Sequence, residues 1–209
     1  KGIFRAVKDL DSALIMELAR IECNQDGGYT GLTPKTLADN LNQANAEVGH
    51  DIWALHADHI QIKTGSSEEI AEVKNLITHQ ISAGFTSFAI DASHLFNFEA
   101  DDLENELAPN IKTTVEIGKF IKDNARPGFG LEVEVGEIGR KNTKGMIITK
   151  PEEATFFIGK LLEAGLEPDV IAIANGSTHG NVYDKDGKPV AQTTIDIEQT
   201  KAVAKTLKD

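Results

Sequence analysis

The residues able to do chemistry are gathered in four short segments, each at the end of an apolar run. They read Leu55-His56-Ala57-Asp58-His59, Ile90-Asp91-Ala92-Ser93-His94, Glu132-Val133-Glu134-Val135-Gly136-Glu137 and Asn175-Gly176-Ser177-Thr178-His179-Gly180. Two imidazoles and a carboxylate so close together can supply a metal ligand, a general base and an orienting partner without long loops. On an extended strand His56 and Asp58 point to one side, and His59 is expected beyond the strand end, in the loop. The competing reading is a set of ordinary polar groups. Two histidines flanking an aspartate directly after Ile52-Trp53-Ala54-Leu55 favour a site.

Glu132 and Glu134 share one face of a strand whose other face carries Val133 and Val135. Carboxylates turned into an interior are costly unless a cation or hydrogen-bond donors meet them, so the pair is expected to build a site rather than line a solvated edge. Asp91 sits at a strand end in the same way. His94, three residues on, either walls the site or caps a polar loop. In the 175–180 segment small residues let the backbone approach a ligand, glycines can turn N–H groups toward a phosphate, and His179 offers a nitrogen to a metal.

Strand-like runs position these groups. Ala13–Met16, Ile52–Leu55, Ser87–Ile90, Leu131–Val135 and Val170–Ala174 begin roughly 35–45 residues apart, about the length of a βα unit with its loops. Helical patterns lie between them. Glu68 to Ala83 carries Ile70, Val73, Ile77 and Ile81 on one face, started by Ser66-Ser67-Glu68-Glu69 and stopped by Gly84. Pro34 to Val48 opens on Thr33-Pro34 and closes at Gly49, Pro151 to Ala164 repeats that grammar, and Ile197 to Leu207 is a last helix. This alternation implies an α/β fold with parallel strands, closed as a barrel or open as a doubly wound sheet. Five strands are too few for a complete (β/α)8 TIM barrel, which usually takes about 250 residues. The chain is therefore expected to be the single-domain central part of such a barrel, of about five βα units, with one strand missing ahead and two behind. A small open-sheet domain is the alternative.

Composition narrows the partners. In 209 residues the formal net charge is −12, which disfavours a nucleic-acid surface. An anionic substrate would have to be held by a metal, by backbone N–H groups or by a few bases. Cys23 is the single cysteine, so no internal disulfide forms and a reducing, cytoplasmic setting is the default. No apolar run approaches the ~20 residues of a membrane-spanning helix.

Taken in order, Leu-His-Ala-Asp-His (55–59), Gly-Phe-Thr-Ser-Phe-Ala-Ile-Asp-Ala-Ser-His (84–94), Glu-Val-Glu-Val-Gly (132–136), Pro-Glu-Glu-Ala (151–154) and Ile-Ala-Asn-Gly-Ser-Thr-His-Gly (173–180) resemble the class II, metal-dependent ketose-bisphosphate aldolases. The resemblance implies a lyase of carbohydrate metabolism, in glycolysis, that reversibly cleaves fructose or tagatose 1,6-bisphosphate to dihydroxyacetone phosphate and glyceraldehyde 3-phosphate. It implies Asp58 as the acid/base at the C4 hydroxyl and His59 and His179 as zinc ligands. Asp91 and Glu134 match a second or alternate metal position, and Gly180 a backbone phosphate contact. Zinc would act as the Lewis acid for a dihydroxyacetone-phosphate-like enediolate, and no Schiff-base lysine would be needed. A homo-oligomer is implied for the full-length protein.

Three departures from the family pattern matter. A third zinc histidine has no counterpart up to Asp209, nor has the phosphate-binding Gly-Ser loop that follows it. The loop after the Glu132–Val135 strand, Ile138-Gly139-Arg140-Lys141-Asn142-Thr143-Lys144-Gly145, lacks the family's proton-transferring glutamate, with only Glu137 close. A non-catalytic aldolase-like subunit and a metal-dependent barrel hydrolase are the rival functions. Retention of Asp58, His59 and His179 argues against the first.

Overall fold

The computed structural model describes residues 1–97, 99–136, 141–142, 145–146, 148–177, 183–188 and 195–208. Strands β1 (Leu14–Ala19), β2 (Trp53–Gln61), β3 (Ser87–Asp91), β4 (Gly130–Val135) and β7 (Val170–Ile173) form one sheet in the order β1-β2-β3-β4-β7, every neighbouring pair parallel. A separate antiparallel pair, β5 (Lys141–Asn142) and β6 (Gly145–Met146), lies between β4 and the next helix. The helices are α1 (Gly2–Asp9), α2 (Pro34–Ala46), α3 (Ser67–Ala83), α4 (Leu103–Asn124), α5 (Pro151–Glu163) and α6 (Ile197–Thr206). Consecutive strands pair in sequence order with helices between them, which is the half-barrel that the strand spacing predicted.

Alternation along each strand separates a dry face from a polar one. Leu55, Ala57, Phe88, Ile90, Leu131, Val133 and Val135 are buried on the helix side. They meet Ile70, Val73 and Ile77 of α3, Leu107, Ile117 and Ile121 of α4, and Phe157 and Leu161 of α5 in one core. Full burial of each of the Leu, Ile, Val and Phe side chains is worth about 1.5–3 kcal/mol. The opposite face of the same strands carries Glu17, His56, Asp58, Ser87, Asp91, Glu132 and Glu134. No helix among the described residues is long and apolar enough to cross a membrane.

The helix starts follow the expected cap chemistry. The Thr33 side chain accepts from Thr36 N ahead of Pro34, and the Ser66 side chain accepts from Glu69 N. Two departures from the sequence reading are informative. Helix α4 carries no predicted counterpart, because Pro109 and Gly118 interrupt a pattern that packing enforces anyway. Strand β2 does not end at Asp58 but runs on to Gln61, so His59 lies inside the strand rather than in a loop beyond it.

Candidate metal and catalytic site

The site is built at the carboxyl ends of β2, β3 and β4, and its geometry depends on one irregularity. The β2–β3 register runs His56↔Ser87, Ala57↔Phe88 and then Ile60↔Ile90, Gln61↔Asp91, so β2 carries an extra residue between Ala57 and Ile60. This is a β-bulge, and His59 adopts the left-handed conformation there, with φ 47°. Simple alternation would turn His59 away from Asp58, toward the helices. The bulge instead brings its ring onto the polar face, where Nδ1 lies 3.2 Å from Asp91 Oδ2 and 3.2 Å from Glu134 Oε1. A left-handed non-glycine residue costs about 1–2 kcal/mol, the kind of strain that gathers at functional sites.

The Asp91 carboxylate and the Glu134 main chain are held from behind. Asp91 Oδ1 accepts from Ser93 N at 2.9 Å and Ser93 Oγ at 2.6 Å, fixing the group at the end of β3. Its Oδ2 is buried and has no hydrogen-bond partner among the described residues. On β4, buried Asn110 of α4 donates to the Glu134 carbonyl at 3.1 Å and is itself fixed by Thr114. Thr149 clips the ends of β4 and β7 together: its hydroxyl donates to Val135 O at 3.0 Å and accepts from Ala174 N at 2.9 Å. Gly136, at φ 83°, makes room for that clip, since a Cβ there would lie 2.6 Å from Thr149 Oγ1.

A second polar layer lies beneath. The buried His56 ring places Nδ1 2.7 Å from Ser87 Oγ and Nε2 3.6 Å from Glu132 Oε2. Gly130 opposite Ser87 is required by this arrangement, because an added Cβ would stand 2.7 Å from Ser87 Oγ. Burial lowers the pKa of His56.

Electrostatics mark the same place. Burial pushes the Glu132 carboxyl up to about 7, helped by the negative charges of Glu134, Asp58 and Glu17. Burial also raises Glu134, against the opposing hydrogen bond to His59. The Glu134 hydrogen bond raises His59 to about 8 despite burial, with Asp91, Glu134 and Asp58 adding attraction. Crowded carboxylates of this kind are what a cation relieves.

His59, Asp91 and Glu134 each offer a ligand atom, and these atoms all lie within 4.8 Å of one another. One imidazole nitrogen and two carboxylate oxygens, one of them the buried Asp91 Oδ2 that has no hydrogen bond among the described residues, fit a divalent metal. Asp58 stands on the same face of β2, half-buried. His94 lies in the turn after β3. The expected ligand His179 and phosphate contact Gly180 lie outside the described residues, as does Glu137, whereas Asn175 to Ser177 at the end of β7 are described. Asn110, Thr149, Ser87, Gly130 and Gln61 were not picked out in the sequence. Only Gln61 leaves a local trace, in the polar–apolar alternation of His59-Ile60-Gln61-Ile62, whose isoleucines are fully buried.

Comparison with known proteins gives a consistent picture. A family model described as fructose-bisphosphate aldolase class-II matches residues 1–208. Fructose-bisphosphate aldolases of Staphylococcus aureus and Staphylococcus epidermidis are 30% identical over 131 residues, 61% of this chain and 36% of theirs. Among solved structures, a fructose-bisphosphate aldolase from Campylobacter jejuni superposes with a TM-score of 0.64 at 20% identity, covering 100% of this chain and 56% of its own. A protein described as a probable tagatose 6 phosphate kinase from Sinorhizobium meliloti superposes with a TM-score of 0.68 at 20% identity, over 97% of this chain and 51% of its own. At that identity the superpositions establish the fold. The chain spans between about a third and just over half of the length of these relatives.

Proposed function

The chain belongs to the class II fructose-bisphosphate aldolase family, and from that premise we propose that its protein is a metal-dependent lyase cleaving a ketose 1,6-bisphosphate into two triose phosphates. The observation that carries this reading is the convergence of His59, Asp91 and Glu134 on one point, with Asp58 beside them on β2. Zinc is the proposed metal, held by His59 with Glu134 and Asp91, and with His179 as a further ligand. When bound, it supplies an electrophile that draws negative charge from the substrate carbonyl. Asp58 then has the remaining task of moving the proton of the C4 hydroxyl. His56, Ser87 and Glu132 form a partly buried polar layer beneath the β2 segment that carries Asp58 and His59. Gly180 is the proposed backbone contact for a substrate phosphate, the setting is cytoplasmic and glycolytic, and the working protein is a homo-oligomer.

The test is made on the intact protein. Chelation is expected to abolish cleavage of fructose or tagatose 1,6-bisphosphate, and zinc or cobalt to restore it. Asp58→Ala should retain its metal while turnover falls by a factor on the order of 10²–10⁴, the usual contribution of a general acid/base. His59→Ala should lose the metal. Borohydride trapping of substrate on a lysine would overturn the proposal.

A further inference from the structure

His59 presents two nitrogens to different surroundings. Nδ1 faces the two carboxylates at 3.2 Å each, while Nε2 faces the side-chain amide of Gln61 at 3.3 Å. An imidazole that binds a metal through one nitrogen is fixed by what its other nitrogen bonds, and that outer partner sets both ring orientation and ligand basicity. Among the described residues no other side chain is hydrogen-bonded to Nε2. The amide suits the task, because a half-turn about its last bond offers either an N–H donor or a carbonyl oxygen to the ring.

Gln61 is itself built in. The bulge at His59 restores register at Gln61↔Asp91, so Gln61 stands directly across from one of the carboxylates on the polar face. Its main-chain oxygen accepts from Arg20 Nη1 at 2.5 Å, and the next amide, Ile62 N, donates to Asp91 O at 2.7 Å. The Arg20 guanidinium lies 3.8 Å from Glu69 and 3.6 Å from Glu72 of α3. The main chain of the segment carrying Gln61 is thus tied to β3 and, through Arg20 just after β1, to α3, and its side-chain amide is turned to His59.

We propose that Gln61 is a positioning residue for the metal: its amide holds His59 through Nε2 so that Nδ1 stays aimed at the point shared with Asp91 and Glu134, presenting oxygen to the ring when the metal is bound. This rests on the metal reading of the site given above. Gln61 touches no reacting atom and acts through His59.

The experiment measures zinc affinity of the intact protein by competition with a chromophoric chelator, together with the visible spectrum of the cobalt-substituted form. Gln61→Ala and the isosteric Gln61→Met should both weaken zinc binding about 10–100-fold, the usual effect of losing such an outer partner, and alter the cobalt spectrum. Gln61→Glu, whose carboxylate can accept the ring N–H, should recover the affinity. Thermal unfolding of the metal-free forms should be unchanged, which a merely structural role would not allow. Zinc affinities of Gln61→Ala and Gln61→Met within threefold of wild type would overturn the inference while leaving the proposed function intact. Failure of the wild-type protein to bind zinc would instead overturn both.

Discussion

His59 is the residue on which the site turns, since its left-handed backbone at φ 47° is what brings an imidazole against two carboxylates. That conformation stores strain, which should be measurable without any metal. Comparing His59→Gly with His59→Ala isolates the backbone effect, as both delete the ring. The glycine variant is expected to be the more stable by about 1 kcal/mol in urea unfolding, because it alone adopts positive φ freely. Equal stabilities, or a more stable alanine variant, would mean that the bulge relaxes when the ring is gone. The residue types in this cluster were legible in the sequence, since two histidines flank an aspartate directly after one apolar run and carboxylates stand in or at the end of two others. The backbone conformation of His59 was not, because nothing in His-Ala-Asp-His-Ile signals an extra residue in the register.

Strands and helices supply the stiffness that these side chains lack. The close approach of β4 to β3 at Gly130 leaves room for the Ser87–His56 hydrogen bond. Gly130→Ala should cost about 1–3 kcal/mol through overpacking. Adding Ser87→Ala to it should recover part of the loss by removing the hydroxyl that the new Cβ meets, a coupling read from a double-mutant cycle. Strictly additive effects would contradict this contact. At the start of α3, Glu69 gathers the preceding loop by accepting from Lys63 N, Thr64 N, Thr64 Oγ1 and Gly65 N. Burial works to raise its pKa, but these four bonds outweigh it and bring the carboxyl down to about 2. A carboxylate whose folded pKa is depressed stabilises the fold above its unfolded pKa, near 4.3, and loses that contribution as pH falls through the folded value. Glu69→Gln should therefore lower stability by on the order of 2 kcal/mol at pH 7, and the difference from wild type should shrink between about pH 4 and pH 2. A gap that persists unchanged to pH 2 would refute the assignment. An apolar run made β3 readable and period-two alternation β4, and Thr33-Pro34 and Ser66 marked two helix starts. Helix α4 escaped because its internal proline and glycine are tolerated for tertiary reasons: Gly118 packs against Leu166, and Asn110, next to Pro109, turns inward to hold Glu134.

In the whole molecule five parallel strands bring residues from positions 59, 91 and 134 to one end of a sheet, which is how a βα barrel concentrates chemistry contributed by distant parts of a chain. The acidic balance of the protein is consistent with a locally placed cation, since a formal net charge of −12 offers a phosphorylated substrate little long-range attraction. Order and spacing of the motifs made this architecture and the family legible, because each motif had to sit at a strand end for the set to make sense. The family resemblance already grouped His59, Asp91 and Glu134 as metal residues, but the bulge and the hydrogen bonds from Asn110 and Ser93 behind their meeting were not legible, since no short motif encodes them. The central claim is that this point is where the metal sits. Anomalous diffraction at the zinc absorption edge, from crystals of the intact protein grown with zinc, measures it directly. The predicted result is one strong peak among His59, Asp91 and Glu134, at zinc–nitrogen and zinc–oxygen distances of about 2.0–2.2 Å. A peak elsewhere with these three side chains unliganded, or no peak at saturating zinc, would contradict the account.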